Sequence, residues 1–240
     1  ESSAEMGAAA AREALDDAGI EPADLELVLF ASPIQQQAIP DTAPLVQQAL
    51  GIGTSGIPCF SIHGTCLGFL YALDVAANYI ASGRYRRILV VTSDISSVGL
   101  NPEDSETYPL FGDAATAVVL GHAEDGISRI EGSHFATFGA LAQLTRIRGG
   151  GTALPPSHPE AQDADSTFSM QGIELLRNCM RHGPQFLEQL QKTPGIELEE
   201  FRLVVPHQPS HRGLKLFQRF FPGAVLVNTL ADRGNCVASS

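Results

Sequence analysis

Three side chains in this sequence have types and settings suited to one piece of chemistry. Cys66 lies in Phe60-Ser-Ile-His-Gly-Thr-Cys66-Leu-Gly-Phe-Leu-Tyr-Ala-Leu73, where an apolar, strand-like stretch passes through a small-residue turn into a helical pattern. A cysteine in the first turn of a helix faces unpaired N–H groups and the positive end of the helix dipole. That setting favours thiolate and can bring a thiol pKa to roughly 5–7, which makes Cys66 the candidate nucleophile. His207 follows the apolar run in Leu203-Val-Val-Pro-His-Gln208, where Pro206 ends the ladder and turns the imidazole out of the strand. Asn235, in Asp232-Arg-Gly-Asn-Cys-Val-Ala-Ser-Ser240, has an amide that can donate hydrogen bonds even if the residue also caps a turn. A nucleophilic thiol with an imidazole and a side-chain amide is a set suited to covalent catalysis through the sulfur.

The elements that must position them alternate. Helical periodicity covers Ala4–Ala18, Thr42–Leu50, Cys66–Ala81, Gly172–Gln191 and Ser210–Phe220. Strand signals cover Leu25–Ala31, Ile57–Ile62, Arg87–Thr92, Ala115–Leu120, Arg202–Val205 and Ala224–Asn228. The runs Ile88–Val91 and Leu203–Val205 are continuously apolar, as in strands covered by helices on both faces. The class is α/β. Helix, strand, strand, then Cys66 in the first half is echoed by helix, strand, strand, then Asn235 opening a further helix in the second. This predicts a duplicated fold, with an N-terminal half at 1–121 carrying the nucleophile. The second half, 122–240, carries His207 and Asn235. Both Cys66 and His207 follow strands directly, at the carboxyl ends where ligands of open α/β sheets gather. Residues Gly121–Ser169, rich in Gly, Pro, His and Ser, read as a connection and substrate-facing loop. The ends read as those of a fragment, since Glu1 stands at a helix start and Ser240 at another.

Composition narrows the function. The 240 residues are 44% hydrophobic and 18% charged, which is globular. A net charge of -12 argues against nucleic acid as a partner. No apolar run reaches membrane-spanning length, so neither a membrane nor a secretory route is expected. Four cysteines without framework spacing fit a reducing, cytoplasmic setting. Cys59, Cys179 and Cys236 read as small buried hydrophobes. His207 and His211 are four apart, but Pro209 lies between them and no Glu follows the first, so no metal is expected. Gly149–Gly151 lacks the Lys-Ser/Thr of a phosphate loop and reads as a flexible linker. Asp113 reads as a buried hydrogen-bonding residue and His63 as a neighbour of the nucleophile turn.

The motifs resemble those of the β-ketoacyl–acyl carrier protein synthase III branch of the thiolase-like condensing enzymes. Thr65-Cys66-Leu-Gly-Phe69 resembles the nucleophile motif, and Phe111-Gly-Asp-Ala-Ala-Thr-Ala-Val118 the structural Phe-Gly-Asp-Gly-Ala segment. Val205-Pro-His-Gln208 resembles the His motif, and Gly234-Asn-Cys-Val-Ala-Ser-Ser240 resembles Gly-Asn-Thr-Ser-Ala-Ala-Ser. Four motifs occur in order over nearly the whole chain. Cys236 and Val237 stand where the family has Thr and Ser, a difference that bears on substrate range.

The resemblance implies a five-layered α-β-α-β-α thiolase-like fold, here without its first and last elements. It implies a decarboxylative Claisen condensation in fatty acid or related biosynthesis, with no cofactor. An acyl-coenzyme A thioester acylates Cys66, a malonyl–carrier thioester enters, and His207 and Asn235 stabilise the enolate as carbon dioxide leaves. His207 need not deprotonate Cys66 if the helix dipole activates the thiol. Arg212, Lys215 and Arg219 share a helix face, a docking patch for an acyl carrier protein or for coenzyme A phosphates. The loop Ile34–Pro40 aligns with the family's contact across a homodimer, which predicts that Ile39 helps shape the partner's acyl pocket. Other readings remain at this point. One is a coenzyme A–linked condensing enzyme or a non-decarboxylating acyltransferase of the same fold. Another is a Cys-His-Asn thiol hydrolase, which the absence of Trp and the presence of Leu67 after the cysteine disfavour. A third is a catalytically silent partner subunit.

Overall fold

The computed structural model describes residues 1–193 and 196–240, and the chain divides into two compact units. The first comprises Glu1–Ser96, Gly112–Ile130 and Asn235–Ser240; the second comprises Ser97–Phe111 and Glu131–Gly234. This division differs from the one expected at 121/122. Asn235 packs in the unit that carries Cys66, because the residues after it are hydrogen-bonded to a strand of that unit.

The first unit opens with α1 (Ser3–Ala18), started by a capping box between Ser2 and Glu5 and closed by Gly19 in the left-handed region at φ 66°. Next come β1 (Leu27–Phe30), α2 (Thr42–Ala49), β2 (Cys59–Ser61), α3 (Gly68–Ala81), β3 (Arg87–Asp94) and β4 (Ala114–Gly121). The sheet order is β2-β1-β3-β4. The first three strands are parallel, with Val28 facing Cys59 and Leu89, and β4 runs antiparallel to β3. Alternate residues of the strands point to opposite faces. Val28, Phe30, Leu89 and Val91 pack with Ala8, Leu15 and Val46 of α1 and α2. Leu27, Leu29, Ile88 and Val90 pack with Ala72 and Ala76 of α3. Each fully buried Leu, Ile, Val or Phe contributes about 1.5–3 kcal/mol, so β1 and β3, buried almost throughout, fix the frame from which the loops project.

In the second unit, β5 (Thr145–Ile147) and β6 (Phe168–Met170) form an antiparallel pair inside the stretch expected to be loop. Arg148 pairs with Asp165 at 3.0 Å, and the Gly149 N–H donates to the Asp165 carbonyl at 2.7 Å. A Cβ on Gly149 would stand 3.1 Å from that oxygen, so this glycine is packed rather than a free linker. Then come α4 (Gly172–Leu190), β7 (Leu203–Val204), α5 (His211–Phe217), β8 (Val225–Leu226) and α6 (Leu230–Arg233). β7 and β8 are parallel, so β7-α5-β8 repeats the connectivity of β1-α2-β2.

Several expectations are corrected. The run Leu203–Val205 is not covered on both faces: Leu203 is 58% and Val205 66% exposed. Among the described residues β7 and β8 pair only with each other, and each has one exposed and one half-buried residue. Cys179 and Asp113 are exposed, and Cys59 is only half-buried. No helix of the described residues is long and apolar enough to cross a membrane.

Candidate active site

The nucleophile turn starts where β2 ends. Ile62 still donates its N–H to the Phe30 carbonyl at 2.8 Å. The exposed His63 lies beside this turn, its Nε2 3.0 Å from the Pro33 carbonyl. Thr65 then takes φ 50°, a left-handed conformation that costs a β-branched residue about 1–3 kcal/mol and persists only where the surroundings enforce it. Cys66 sits at the centre of the 3₁₀ turn Thr65–Leu67, and α3 begins after it. A Cβ on Gly68 would stand 2.0 Å from the Ala31 carbonyl oxygen, so only glycine lets α3 start this close to the end of β1. Cys66 therefore precedes α3 rather than occupying its first turn.

That difference changes the electrostatics. Burial, then the nearby Asp94 carboxylate, push the Cys66 thiol up from 9.0 to about 11, with only a backbone hydrogen bond acting in the opposite direction. The direction is opposite to the one expected from a helix end: desolvation and a neighbouring negative charge both favour the neutral thiol.

Asn235 follows Gly234, whose φ of 71° is open to glycine. The Asn235 carbonyl accepts the Gly112 N–H at 3.1 Å. Its side-chain Oδ1 accepts the Val237 N–H at 3.0 Å, an Asx turn. With Oδ1 engaged there, the amide presents its NH₂ as a donor. Val237, at φ 56°, is the second non-glycine residue in the left-handed region. After Asn235 a 3₁₀ turn spans Val237–Ser239. That turn packs against the Cys66 turn and against β3. At the end of β3, buried Asp94 Oδ2 accepts the N–H groups of Ala238 and Ser239, each at 3.1 Å, and the Ser239 hydroxyl at 2.9 Å. The first unit thus brings Cys66 and Asn235 onto adjoining turns.

In the second unit, Pro206 is buried and His207 half-buried beyond the end of β7. Buried Gln208 holds this segment. Its Nε2 donates to the carbonyls of Pro206 at 2.9 Å and Val227 at 3.1 Å, and its Oε1 accepts the Thr229 N–H at 3.2 Å. Arg212, Lys215 and Arg219 are exposed. The first two lie on α5 and Arg219 in the 3₁₀ turn Gln218–Phe220 after it. In the first unit, Ile39 is 87% exposed, before a cis bond to Pro40. Its loop lacks turn residues because glutamines satisfy the backbone instead. Gln35 Oε1 accepts the Thr42 N–H at 2.8 Å, and Gln37 Nε2 donates to the Ile39 carbonyl at 2.8 Å. Among the described residues no three His, Cys, Asp or Glu side chains are grouped to hold a metal.

Sequence reasoning missed Asp94, Ser239 and Gln208. For Asp94 there was a signal, a carboxylate ending the apolar run Ile88–Val91, but the strand had been ended at Thr92.

The sequence comparisons fit this geometry. The family model for 3-oxoacyl-[acyl-carrier-protein] synthase III matches residues 60–139, which include the Cys66 turn and β4. A β-ketoacyl-[acyl-carrier-protein] synthase III of Chlamydia trachomatis is 31% identical over 98% of this chain and 72% of its own length. The chain belongs to the β-ketoacyl-acyl carrier protein synthase III family. One of Oleidesulfovibrio alaskensis is 32% identical over the whole chain and 73% of its own length. The crystal structure of the synthase III from Aquifex aeolicus matches the whole chain and 73% of that structure, at a TM-score of 0.85 and 31% identity. That from Pseudomonas aeruginosa matches at 0.81 and 27%. The fold is the thiolase-like α/β fold of these synthases, and the protein is a condensing acyltransferase of synthase III type.

Proposed function

We propose that this synthase III condenses a Cys66-bound acyl group with a malonyl unit. The observation that carries the reading is the pair of adjoining turns in the first unit, one bearing the thiol and the other an amide whose oxygen is already engaged. In the first step the Cys66 sulfur attacks the carbonyl of an acyl-coenzyme A thioester. A carbon–sulfur bond forms, the donor's carbon–sulfur bond breaks, and the proton of the resting thiol leaves with the departing coenzyme A thiol. Because the thiol is held protonated, this proton transfer is part of the reaction rather than completed beforehand. In the second step a malonyl–carrier thioester loses carbon dioxide. The electron pair of the broken carbon–carbon bond becomes an enolate, whose oxygen receives hydrogen bonds from His207 and the Asn235 NH₂. The enolate carbon attacks the Cys66 thioester and releases a β-ketoacyl product. Decarboxylation drives the step, and no cofactor is required.

The acyl carrier protein docks on Arg212, Lys215 and Arg219, exposed cations on a protein of net charge -12. The protein works in the cytoplasm as a homodimer, whose partner covers Ile39. The test is intact-protein mass spectrometry after incubation with a panel of acyl-coenzyme A thioesters. An acyl increment on Cys66, absent in Cys66→Ser, supports the reading. No increment from any donor overturns it.

A further inference from the structure

Asp94 is the last residue of β3 and is wholly buried. Three donors from two consecutive residues converge on its Oδ2: the Ala238 N–H at 3.1 Å, the Ser239 N–H at 3.1 Å and the Ser239 hydroxyl at 2.9 Å. Thr92 Oγ1, one pleat back on the same strand, stands 2.9 Å from that hydroxyl. Bonds to an ionised acceptor are about twice as strong as neutral ones. This carboxylate is therefore the main anchor for the far end of the Val237–Ser239 turn, as the Gly112 N–H on the Asn235 carbonyl is for the near end. Between the two anchors lies the Val237 N–H that sets the Asn235 amide.

We propose that Asp94 is a positioning residue. It holds the Val237–Ser239 turn, and through it the Asn235 NH₂, against the Cys66 turn, so that condensation depends on Asp94 while acylation of Cys66 does not. This rests on the condensing reading above. Without Asp94 the Ala238 N–H loses its acceptor, while Ser239 keeps only the Cys236 carbonyl, 2.9 Å from its N–H, and Thr92 Oγ1, 2.9 Å from its hydroxyl; the far end of the turn is loosened, and with it the left-handed Val237 and the direction of the Asn235 amide. The thiol, on its own turn between β2 and α3, keeps its support from Gly68 and the Thr65–Leu67 backbone.

The test measures the two half-reactions separately on the purified protein, with a thermal melt of each variant. Asp94→Ala removes the acceptor and is expected to lower condensation with a malonyl thioester about 30- to 100-fold, less than the roughly 10²–10³ of a lost oxyanion donor because the amide is misdirected rather than removed. Acyl transfer to Cys66 is expected to be unchanged or faster. Asp94→Asn is the rescue: its amide oxygen can take the place of Oδ2, and condensation is expected within about fivefold of wild type. Ser239→Ala removes one of the three bonds and is expected to cost about three- to tenfold in condensation alone.

A folded Asp94→Ala that condenses at the wild-type rate overturns the proposal. So does an equal loss in both half-reactions, or an Asp94→Asn as impaired as Asp94→Ala. If Asp94→Ala does not fold, Ser239→Ala decides, and unchanged condensation in that variant overturns the proposal. A wild-type protein that is never acylated, or is acylated and never condenses, contradicts the functional reading instead, and is recognised before any variant is compared.

Discussion

Cys66 is held at rest as a poor nucleophile, and the size of the effect follows from its surroundings. Burial and the Asp94 charge move the thiol from 9.0 to about 11. At pH 7.5 about 0.03% of such a thiol is thiolate, against about 3% at the ordinary value, a roughly 100-fold deficit. A more basic thiolate is a better nucleophile by about 0.4–0.5 log units per pKa unit, which returns about six- to tenfold over two units. Cys66 is therefore expected to react with a small aromatic disulfide about 10- to 20-fold more slowly than a cysteine in an unstructured peptide at pH 7.5. The logarithm of its rate is expected to rise by about one per pH unit from pH 7 to 10 without a plateau, because the thiolate fraction is still climbing. The assay follows modification by mass spectrometry of the Cys66 peptide, with Cys66→Ser as the blank. A plateau with a midpoint below pH 8, or a rate above that of the free peptide, would refute the reasoning and restore a dipole-activated thiol.

Other outcomes are as definite. Burial, partly offset by hydrogen bonds from Ser239, Ser32 and Ala238, raises the Asp94 carboxyl from 3.8 to about 6, so keeping it ionised costs stability of about 3 kcal/mol. The favourable, protonated state is fully present below about pH 4 and is lost as pH rises through about 6. Asp94→Asn is therefore expected to match or exceed wild-type stability in urea at pH 7.5, with any gain gone by pH 4; a clear loss at pH 7.5 contradicts this. The same variant removes the charge beside the thiol and is expected to speed disulfide modification of Cys66. His207→Ala and Asn235→Ala are each expected to cut condensation by about 10²–10³ while leaving acylation largely intact; equal losses in both steps point to a Cys–His hydrolase pair. Arg212→Glu, alone or with Lys215→Glu, is expected to weaken use of a carrier-protein substrate and spare small thioesters, most strongly at low salt. Insensitivity to both changes returns this face to ordinary solvated surface. Ile39→Phe is expected to favour shorter acyl chains and Ile39→Ala longer ones in a dimeric protein; an unchanged preference, or a monomer by light scattering, removes Ile39 from the acyl pocket.

The frame of the first unit was legible because its signals are local. The alanine-rich period over Ala4–Ala18 needs no tertiary context, and the apolar run Ile88–Val91 of β3 announces burial on both faces. The nucleophile and amide turns were legible as motifs. Their energetics were not, because the state of Cys66 depends on a carboxylate at the end of another strand. Asp94 is itself bound to a turn 144 residues further along. No window of sequence near Cys66 contains that information. The short strands β7 and β8 drew an expectation of burial from composition alone, yet exposure depends on what pairs beside them. The Ile34–Pro40 loop looked poor in turn residues because its backbone partners are glutamine side chains, which carry no turn signature.

The most direct measurement of the central claim is a pulse and chase on one sample. The protein is loaded with a labelled acyl group from its coenzyme A thioester, freed of excess donor, and mixed with a malonyl thioester. The label is expected to leave Cys66 as a β-ketoacyl product two carbons longer, with one carbon dioxide released per acyl group. Asn235→Ala is expected to retain its label through the same chase. Release of the label as the free acid, at a rate indifferent to the malonyl thioester, would contradict condensation and mark the site as a thiol hydrolase.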